Sequence, residues 1–382
     1  MASQTLRKIL TRDFILSAIG MFMLGAVYHS LTPTLPIYLS ALGAREVEIG
    51  VLIGSFGLTS LLVRPLAGKV LARIPEKKVM VAGALFYIVA GAYLFAKPFW
   101  PILFVRLIQG IGFGCFHTAS FTLIANTSDE PHRGQSLAYF ILSFNVASVL
   151  APSLGMFLIN RFSFPLLFMV CFGLSLCMLF ATFRLGKREV PVMRDDTGKG
   201  MSFISRKAFP PSVMGFANLF TFGATSAFFP IYALSRGVTN PGLFFTTTAL
   251  MLILGRAFGG RILNFSQRDK IILPCLCTSV IATSILAFSG TLPMFLLAAV
   301  FWGLGHSFLI PTLMLYALDE ESSSGMAMGT FHGIADAGLC LGPVIMGVVL
   351  RLTNYRVMFL CLTLMAFLNI GYFCLFLRRK QR

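Results

Sequence analysis

Two side chains that can carry a proton stand close together in a long apolar stretch near the end of the chain. Asp336 and His332 lie four residues apart, so a helix places them on one face, one turn apart. Asp336 is about ten residues into this stretch, hence roughly 15 Å along a helix. The other acidic residues fall in loops or at predicted helix ends. An acid and an imidazole at this spacing predict a site that binds and releases protons, with a polar hydrogen bond between helices as the alternative.

A second group of residues that could bind a ligand recurs at helical spacing. Arg106, Gln109, Phe113 and His117 share one face, because eleven residues return to within about 20° of the start at 3.6 residues per turn. This face combines a fixed positive charge with an amide, an aromatic ring and an imidazole. Arg106 gives this face a fixed positive charge, and we include Arg106 in the predicted proton pathway. The alternative for each lone histidine is a structural residue satisfied by a hydrogen bond.

The elements that position these residues are apolar helices long enough to cross a bilayer. Hydrophobic residues make up 57% of the 382, and only 12% are charged, which is more apolar than a soluble domain requires. About 20 apolar residues cross a hydrocarbon core. Twelve such stretches are predicted, approximately at 14–36, 49–68, 79–96, 101–125, 136–158, 165–185, 211–233, 243–261, 271–290, 294–318, 325–349 and 357–377.

The distribution of basic residues predicts the orientation of these helices. If the N-terminus is inside, 22 lysines and arginines fall in inner segments and 6 in outer loops, so both termini are predicted in the cytoplasm of a cytoplasmic (inner) membrane protein. The net charge is +17, and the basic residues that produce it lie beside predicted helix ends. This distribution favours anionic membrane lipids as partners and argues against nucleic acid. The eight cysteines lie in apolar stretches and predict neither disulfides nor a metal site, Cys275 and Cys277 included.

The two halves of the chain repeat one another. "PIYLSALG" at 36–43 returns as "PIYALSRG" at 230–237, Arg64 pairs with Arg256, and Asn145 stands at the position of Asp336. We therefore predict an all-α integral membrane protein of two pseudo-symmetric six-helix bundles, residues 1–185 and 211–382. The polar segment 186–210 is predicted to be a cytoplasmic linker. Such duplicated bundles suit a transporter that rocks around a central site.

Small residues and prolines mark one helix in each half. Residues of this kind at i and i+4 let a neighbouring backbone approach closely in lipid, and a proline within the helix kinks it. Tight packing alone and a direct role in gating are both open for this motif. Its residues are Ala147, Ala151, Pro152 and Gly155 in the first half, and Gly338, Gly342 and Pro343 in the second.

These motifs resemble the Major Facilitator Superfamily, in particular its twelve-helix drug:proton antiporters. "RLIQGIGFG" from Arg106 fits the family's fourth-helix pattern without a mismatch, and the small-residue motif is a degraded form of its antiporter signature. The loop after the second helix resembles another family signature, although Ala72 replaces its aspartate. The gating and packing positions that this signature and its duplicate add are Arg64, Gly68, Arg73, Arg256 and Gly260.

The resemblance implies a substrate cavity lined by helices 1, 4, 7 and 10. Beyond the face on helix 4, it adds Tyr28, His29, Asn218, Thr221, Thr225, Trp302 and His306. It predicts a monomeric secondary transporter without a cofactor that exports a small amphipathic molecule against proton entry. Many drug exporters of this branch carry an acid in helix 1, which this chain lacks, and Arg106 makes the implied cavity lean positive; an anionic, zwitterionic or neutral substrate is therefore favoured over a cation. Proton-coupled uptake is the first alternative, and a transporter-like membrane receptor or sensor is the alternative from another class. Hydrolase and nucleotide-binding motifs do not occur in the sequence, so an enzyme is not predicted.

Overall fold

The chain folds into a succession of long apolar helices. The computed structural model describes residues 10–96, 99–129, 132–186, 206, 208–259, 269–319 and 324–377, and within them we number twelve long helices and find no β-strand. The bounds are α1 Arg12–Ala41, α2 Glu46–Leu71, α3 Glu76–Tyr87, α4 Trp100–Thr127, α5 Arg133–Arg161, α6 Phe164–Phe183, α7 Phe209–Ser235, α8 Gly242–Gly259, α9 Asp269–Phe288, α10 Leu292–Asp319, α11 Ser324–Leu352 and α12 Tyr355–Tyr372.

Length and apolarity confirm the predicted class of helical membrane protein. Among the described residues, 11 helical segments are long and apolar enough to cross a membrane, and the remaining apolar helix, Gly242–Ala257 within α8, is shorter. One predicted span differs in its winding, since α3 passes into a 3₁₀ helix at Ile88–Leu94. The tighter segment sets Gly91 against the ring of Phe172, where an added Cβ would lie 2.7 Å from Cδ2.

Contacts divide the chain into two compact units. The first unit comprises Met1–Thr34 and Ser55–Gly198, and the second comprises Leu35–Gly54 and Lys199–Arg382. The end of α1 and the start of α2 are thus grouped with the second unit. Most of the predicted linker 186–210 lies outside the described residues, as do both chain termini, so the predicted bundle boundaries and the positions of the termini stay predictions.

The repeated octapeptide ends a helix in each half of the sequence. Gly43 and Gly237 have φ of +81°, a left-handed conformation that glycine adopts without a Cβ clash. Gly43 N donates to Ser40 O at 2.9 Å and Ala44 N to Leu39 O at 3.0 Å. The same pair of bonds joins Gly237 N to Leu234 O at 2.9 Å and Val238 N to Ala233 O at 3.0 Å. These paired bonds satisfy the last carbonyls of a helix, so the two copies of the sequence form the same helix end.

The small-residue motifs lie at close helix contacts within each unit. In the first unit, α5 meets α1: Ser30 Oγ donates to Ala151 O at 3.2 Å, and a Cβ on Gly155 would lie 3.0 Å from Ser30 O. In the second unit, α11 meets α7: a Cβ on Gly338 would lie 3.0 Å from both Phe216 C and Phe220 N. Backbone therefore packs against backbone at both contacts, and a larger side chain would push the helices apart.

Candidate functional site

Arg106 is held inside the first unit by an aromatic ring and an amide. Its side chain is 5% exposed, and Cζ lies 4.5 Å from the ring centroid of Phe56. Nη1 donates to Gln109 Oε1 at 3.2 Å, and Tyr93 Oη donates to the same oxygen at 2.8 Å. A cation over a ring face is attracted by the ring quadrupole, and the amide oxygen shares the positive charge. The guanidinium is consequently fixed in place.

Aromatic side chains from α1, α2, α4 and α5 gather beside Arg106. Tyr28 stacks on Phe56 at 5.5 Å between centroids and lies 5.4 Å from Phe113, and Phe113 stacks on His117 at 5.5 Å. Phe144 adds a further ring at 6.3 Å from Phe113. The predicted residues Tyr28, Phe113 and His117 therefore form one continuous cluster in the first unit.

His29 belongs to the same cluster and carries an unsatisfied nitrogen. Its ring lies 4.9 Å from those of both Tyr28 and Phe144. Nε2 is buried and has no hydrogen-bond partner among the described residues. A buried polar atom without a partner is costly, so this nitrogen is suited to receive a water or a ligand group.

A second cluster lies in the second unit, where α7 faces α10. His306 Nδ1 and Asn218 Oδ1 are 2.9 Å apart, and because an amide oxygen can only accept, Nδ1 carries the proton in this bond. Phe222, one turn after Asn218, stacks on His306 at 6.0 Å and lies 6.4 Å from Trp302. Trp302 is 2% exposed, and its Nε1 has no hydrogen-bond partner within the described part of the chain. The cluster thus offers a ring stack with an indole donor.

Two predicted cavity residues on α7 are satisfied within their own helix. Thr221 Oγ1 donates to Ala217 O at 2.9 Å, and Thr225 Oγ1 donates to Thr221 O at 2.8 Å. Both threonines are buried. Their hydroxyl protons are used by the helix, so only the oxygen lone pairs remain for another donor.

Asp336 and His332 lie on α11 in the second unit, and both are half-buried. The His332 ring is 5.6 Å from that of Phe331, and Cys340 Sγ donates to the main-chain oxygen of Asp336 at 3.2 Å. At Gly333, between the two, no heavy atom lies within 4 Å of the position of an added Cβ, apart from the local helix backbone and the two neighbouring residues. The surface of α11 is therefore open at Gly333, between the two titratable residues.

The loop signature after α2 is solvent-exposed where the structure describes it. Gly68, Arg73 and Arg256 are exposed and Arg64 is half-buried, whereas Gly260 lies outside the described residues. Glu76, the carboxylate that follows this loop, is 8% exposed and is hydrogen-bonded within the first unit. Its Oε1 accepts from Asn126 Nδ2 at 2.8 Å.

Several residues of these clusters escaped the sequence analysis. Tyr93, Phe56 and Phe144 contact the predicted residues of the first unit, and Phe222 those of the second. Phe222 had a usable signal, because it follows Asn218 by one helical turn on the predicted cavity helix. The other three lie outside any motif, in a chain that holds 39 phenylalanines and 9 tyrosines.

Comparison with known proteins connects this arrangement with transport. The sequence model of the Major Facilitator Superfamily matches residues 17–320 and 211–382. The staphylopine export protein of Staphylococcus aureus is 24% identical over 364 residues, covering 89% of this chain and 91% of the relative. The multidrug resistance protein MdtG of Klebsiella pneumoniae is 24% identical, with 94% and 92% covered.

Solved structures share the fold. The nucleoside transporter NupG superposes with a TM-score of 0.74 at 16% identity, covering 95% of this chain and 99% of its own. The human organic anion transporter MFSD10 gives a TM-score of 0.69 at 17% identity, with 94% and 98% covered. At these identities the similarity describes the helical architecture.

Proposed function

The chain belongs to the Major Facilitator Superfamily and is a multi-pass membrane transporter, not an enzyme, and we propose that it is a proton-coupled antiporter exporting a small amphipathic compound. The relatives named as the staphylopine exporter and MdtG, a multidrug resistance protein, support the direction of export. We further propose that it acts as a monomer in the cytoplasmic membrane, surrounded by anionic lipids, with both termini inside.

The observation that carries proton coupling is the position of Asp336 and His332. Both side chains are half-buried on α11, beside a stretch where the helix surface is open around Gly333. A carboxylate deep in a membrane helix is costly unless it faces water or protein, and it is a functional candidate for that reason. Protonation of Asp336 would remove its charge, and proton release toward the cytoplasm would restore it. His332 would tune this step.

The proposed substrate is anionic, zwitterionic or neutral instead of cationic. The first unit holds Arg106 under Phe56, and the second offers the indole donor of Trp302 and the imidazole of His306. Arg106 and the indole of Trp302 donate hydrogen bonds, whereas the part of α1 beyond Asp13 carries no acidic residue to attract a cation. Rings flank the polar groups in both units, which suits an amphipathic molecule.

Proton movement in inside-out membrane vesicles tests the function even while the substrate is unidentified. Respiration acidifies the vesicle lumen, a pH-sensitive dye records the gradient, and compounds of the proposed charge classes are added one at a time. An exported compound enters the lumen as protons leave, so the dye signal recovers only in vesicles that contain the protein. A transporter of the uptake type would give no recovery, and a receptor would give binding without flux.

The coupling site is tested by Asp336→Asn, which keeps the shape and a hydrogen bond but removes the titration. Substrate-driven proton release should vanish, whereas exchange of labelled for unlabelled substrate should persist. His332→Gln should shift the pH optimum and leave transport intact. The matched control is Glu76→Gln, at a buried carboxylate bonded to Asn126. Wild-type accumulation by Asp336→Asn would place coupling elsewhere, with His29 and His117 as the next candidates.

A further inference from the structure

Two arginines line one open cavity at the end of α7 in the second unit. The cavity has a volume of about 370 Å³ and is formed by residues from the end of α7 and the start of α12. Its lining residues are Tyr232, Ser235, Arg236, Asn354, Tyr355 and Arg356. The set contains two positive charges and several hydrogen-bonding groups but no carboxylate. Glu46, in the same unit, is an acid whose charge acts on Tyr355.

Aromatic rings hold both guanidinium groups. Arg236 Cζ lies 5.3 Å from the ring centroid of Tyr232, and Arg356 Cζ lies 4.7 Å from that of Phe288. Tyr232 in turn stacks on Tyr355 at 5.1 Å. Within the described residues neither guanidinium donates a hydrogen bond to the protein. Stacking orients the planar group but leaves its N–H edge for a ligand, and that edge matches the oxygens of a carboxylate or phosphate.

The start of α12 adds a positive end to the same cavity. This helix of 18 residues begins at Tyr355, and the Oδ1 of its N-cap Asn354 accepts from Val357 N at 3.0 Å. The first turn of a helix carries partial positive charge from its unpaired amides. The N-terminus of α12 and the two arginines therefore all attract an anion to this cavity.

The duplication indicates that the fold does not require these arginines. Arg236 precedes the helix-ending Gly237, and the equivalent residue before Gly43 is Leu42. Tyr355 and Arg356 open α12, whereas Phe164 and Pro165 open its counterpart α6 in the first unit. Both halves of the sequence form the same glycine-ended helix and start a helix at the equivalent position, but only the second half places a cation at each position. The charges therefore call for an explanation beyond folding.

We propose that this cavity binds a phosphate-type oxyanion. Arg236 and Arg356 are two of the six cations that the charge distribution assigns to the outer side, and they lie at helix ends, where phospholipid headgroups are found. The phosphodiester of an anionic outer-leaflet lipid and a free phosphate offer the same chemistry to the two arginines. The site is separate from the clusters of the proposed transport pathway and does not depend on the transported compound.

Lipid binding by the purified full-length protein in nonionic detergent tests this site. Native mass spectrometry measures the bound fraction of dioctanoyl phosphatidylglycerol, and inorganic phosphate is added as a competitor. The double variant Arg236→Leu with Arg356→Gln should weaken lipid binding at least tenfold. It should still fold, because leucine (Leu42) stands at the position equivalent to Arg236 in the first half of the sequence. The control Arg351→Gln removes an exposed arginine that does not line the cavity and should change binding less than twofold.

The outcomes separate the two sources of the oxyanion. Binding of the lipid without competition by millimolar phosphate identifies a headgroup site, and competition identifies a general phosphate site; both support the proposal. Equal binding by the double variant and the unmodified protein would overturn it. Equal weakening by Arg351→Gln would also overturn it, because surface charge alone would then account for the binding. An unchanged unfolding temperature of each variant without lipid separates lost binding from lost structure.

Discussion

The contact between α7 and α11 can be tested by giving Gly338 a side chain. In Gly338→Ala, the Cβ would lie 3.0 Å from both Phe216 C and Phe220 N, and closer still to Phe216 O. Main-chain atoms cannot rotate away, so the helices must separate, and overpacking of this kind costs about 1–3 kcal/mol. Alanine in a helix interior gains about 1 kcal/mol over glycine. The net change is therefore smaller than the clash itself.

Gly333→Ala on the same helix isolates the clash, because its Cβ meets only open space. Both variants share the gain in helix propensity, so the difference between them is the clash of about 1–3 kcal/mol. At about 2–3 °C per kcal/mol for a large chain, Gly338→Ala should unfold about 2–9 °C below Gly333→Ala. Thermal unfolding in detergent, followed by tryptophan fluorescence, measures this difference. Equal unfolding temperatures would refute close backbone packing between α7 and α11.

Three further predictions follow from local geometry. Gly237→Ala should destabilise the protein by about 1–2 kcal/mol, because φ of +81° is strained for alanine, and the unfolding temperature will report it. Asn354→Ala should cost about 1 kcal/mol in the same measurement, because Val357 N loses its side-chain cap. Arg106→Lys keeps the charge but not the planar fork that lies over Phe56; it should bind a carboxylate substrate more weakly and leave binding of the corresponding methyl ester unchanged.

Much of the fold follows from the sequence because lipid imposes a simple rule. A helix must be about 20 residues long and apolar to cross the bilayer, and this signal is readable residue by residue. The two helix ends at Gly43 and Gly237 can also be predicted from the sequence, because "PIYLSALG" and "PIYALSRG" both end in a glycine. These features depend on neighbours along the chain, which a sequence contains directly.

The partners of the candidate residues depend on distances that a sequence does not contain. Helical periodicity placed Arg106 and Gln109 on one face, yet it could not indicate that Tyr93 donates to Gln109 or that Phe56 covers the guanidinium. The bond between His306 and Asn218 joins helices separated by 88 positions. The 3₁₀ segment after Tyr87 likewise places Gly91 against Phe172 of another helix, a contact that a sequence does not contain. Tertiary packing decides such details.

The internal duplication offers a way to separate residues that the fold needs from residues that function needs. Positions that agree between the halves, such as Gly43 and Gly237, share one backbone conformation and one hydrogen-bonding pattern, so folding explains them in both copies. Positions that differ in charge within the same local structure have no such explanation. Asp336 stands where the first half has Asn145, and Arg236 stands where it has Leu42. Asn145 and Leu42 show that the equivalent helices form without a charge at these positions. Substitutions of Asp336 and Arg236 should therefore change proton coupling or anion binding more than they change stability.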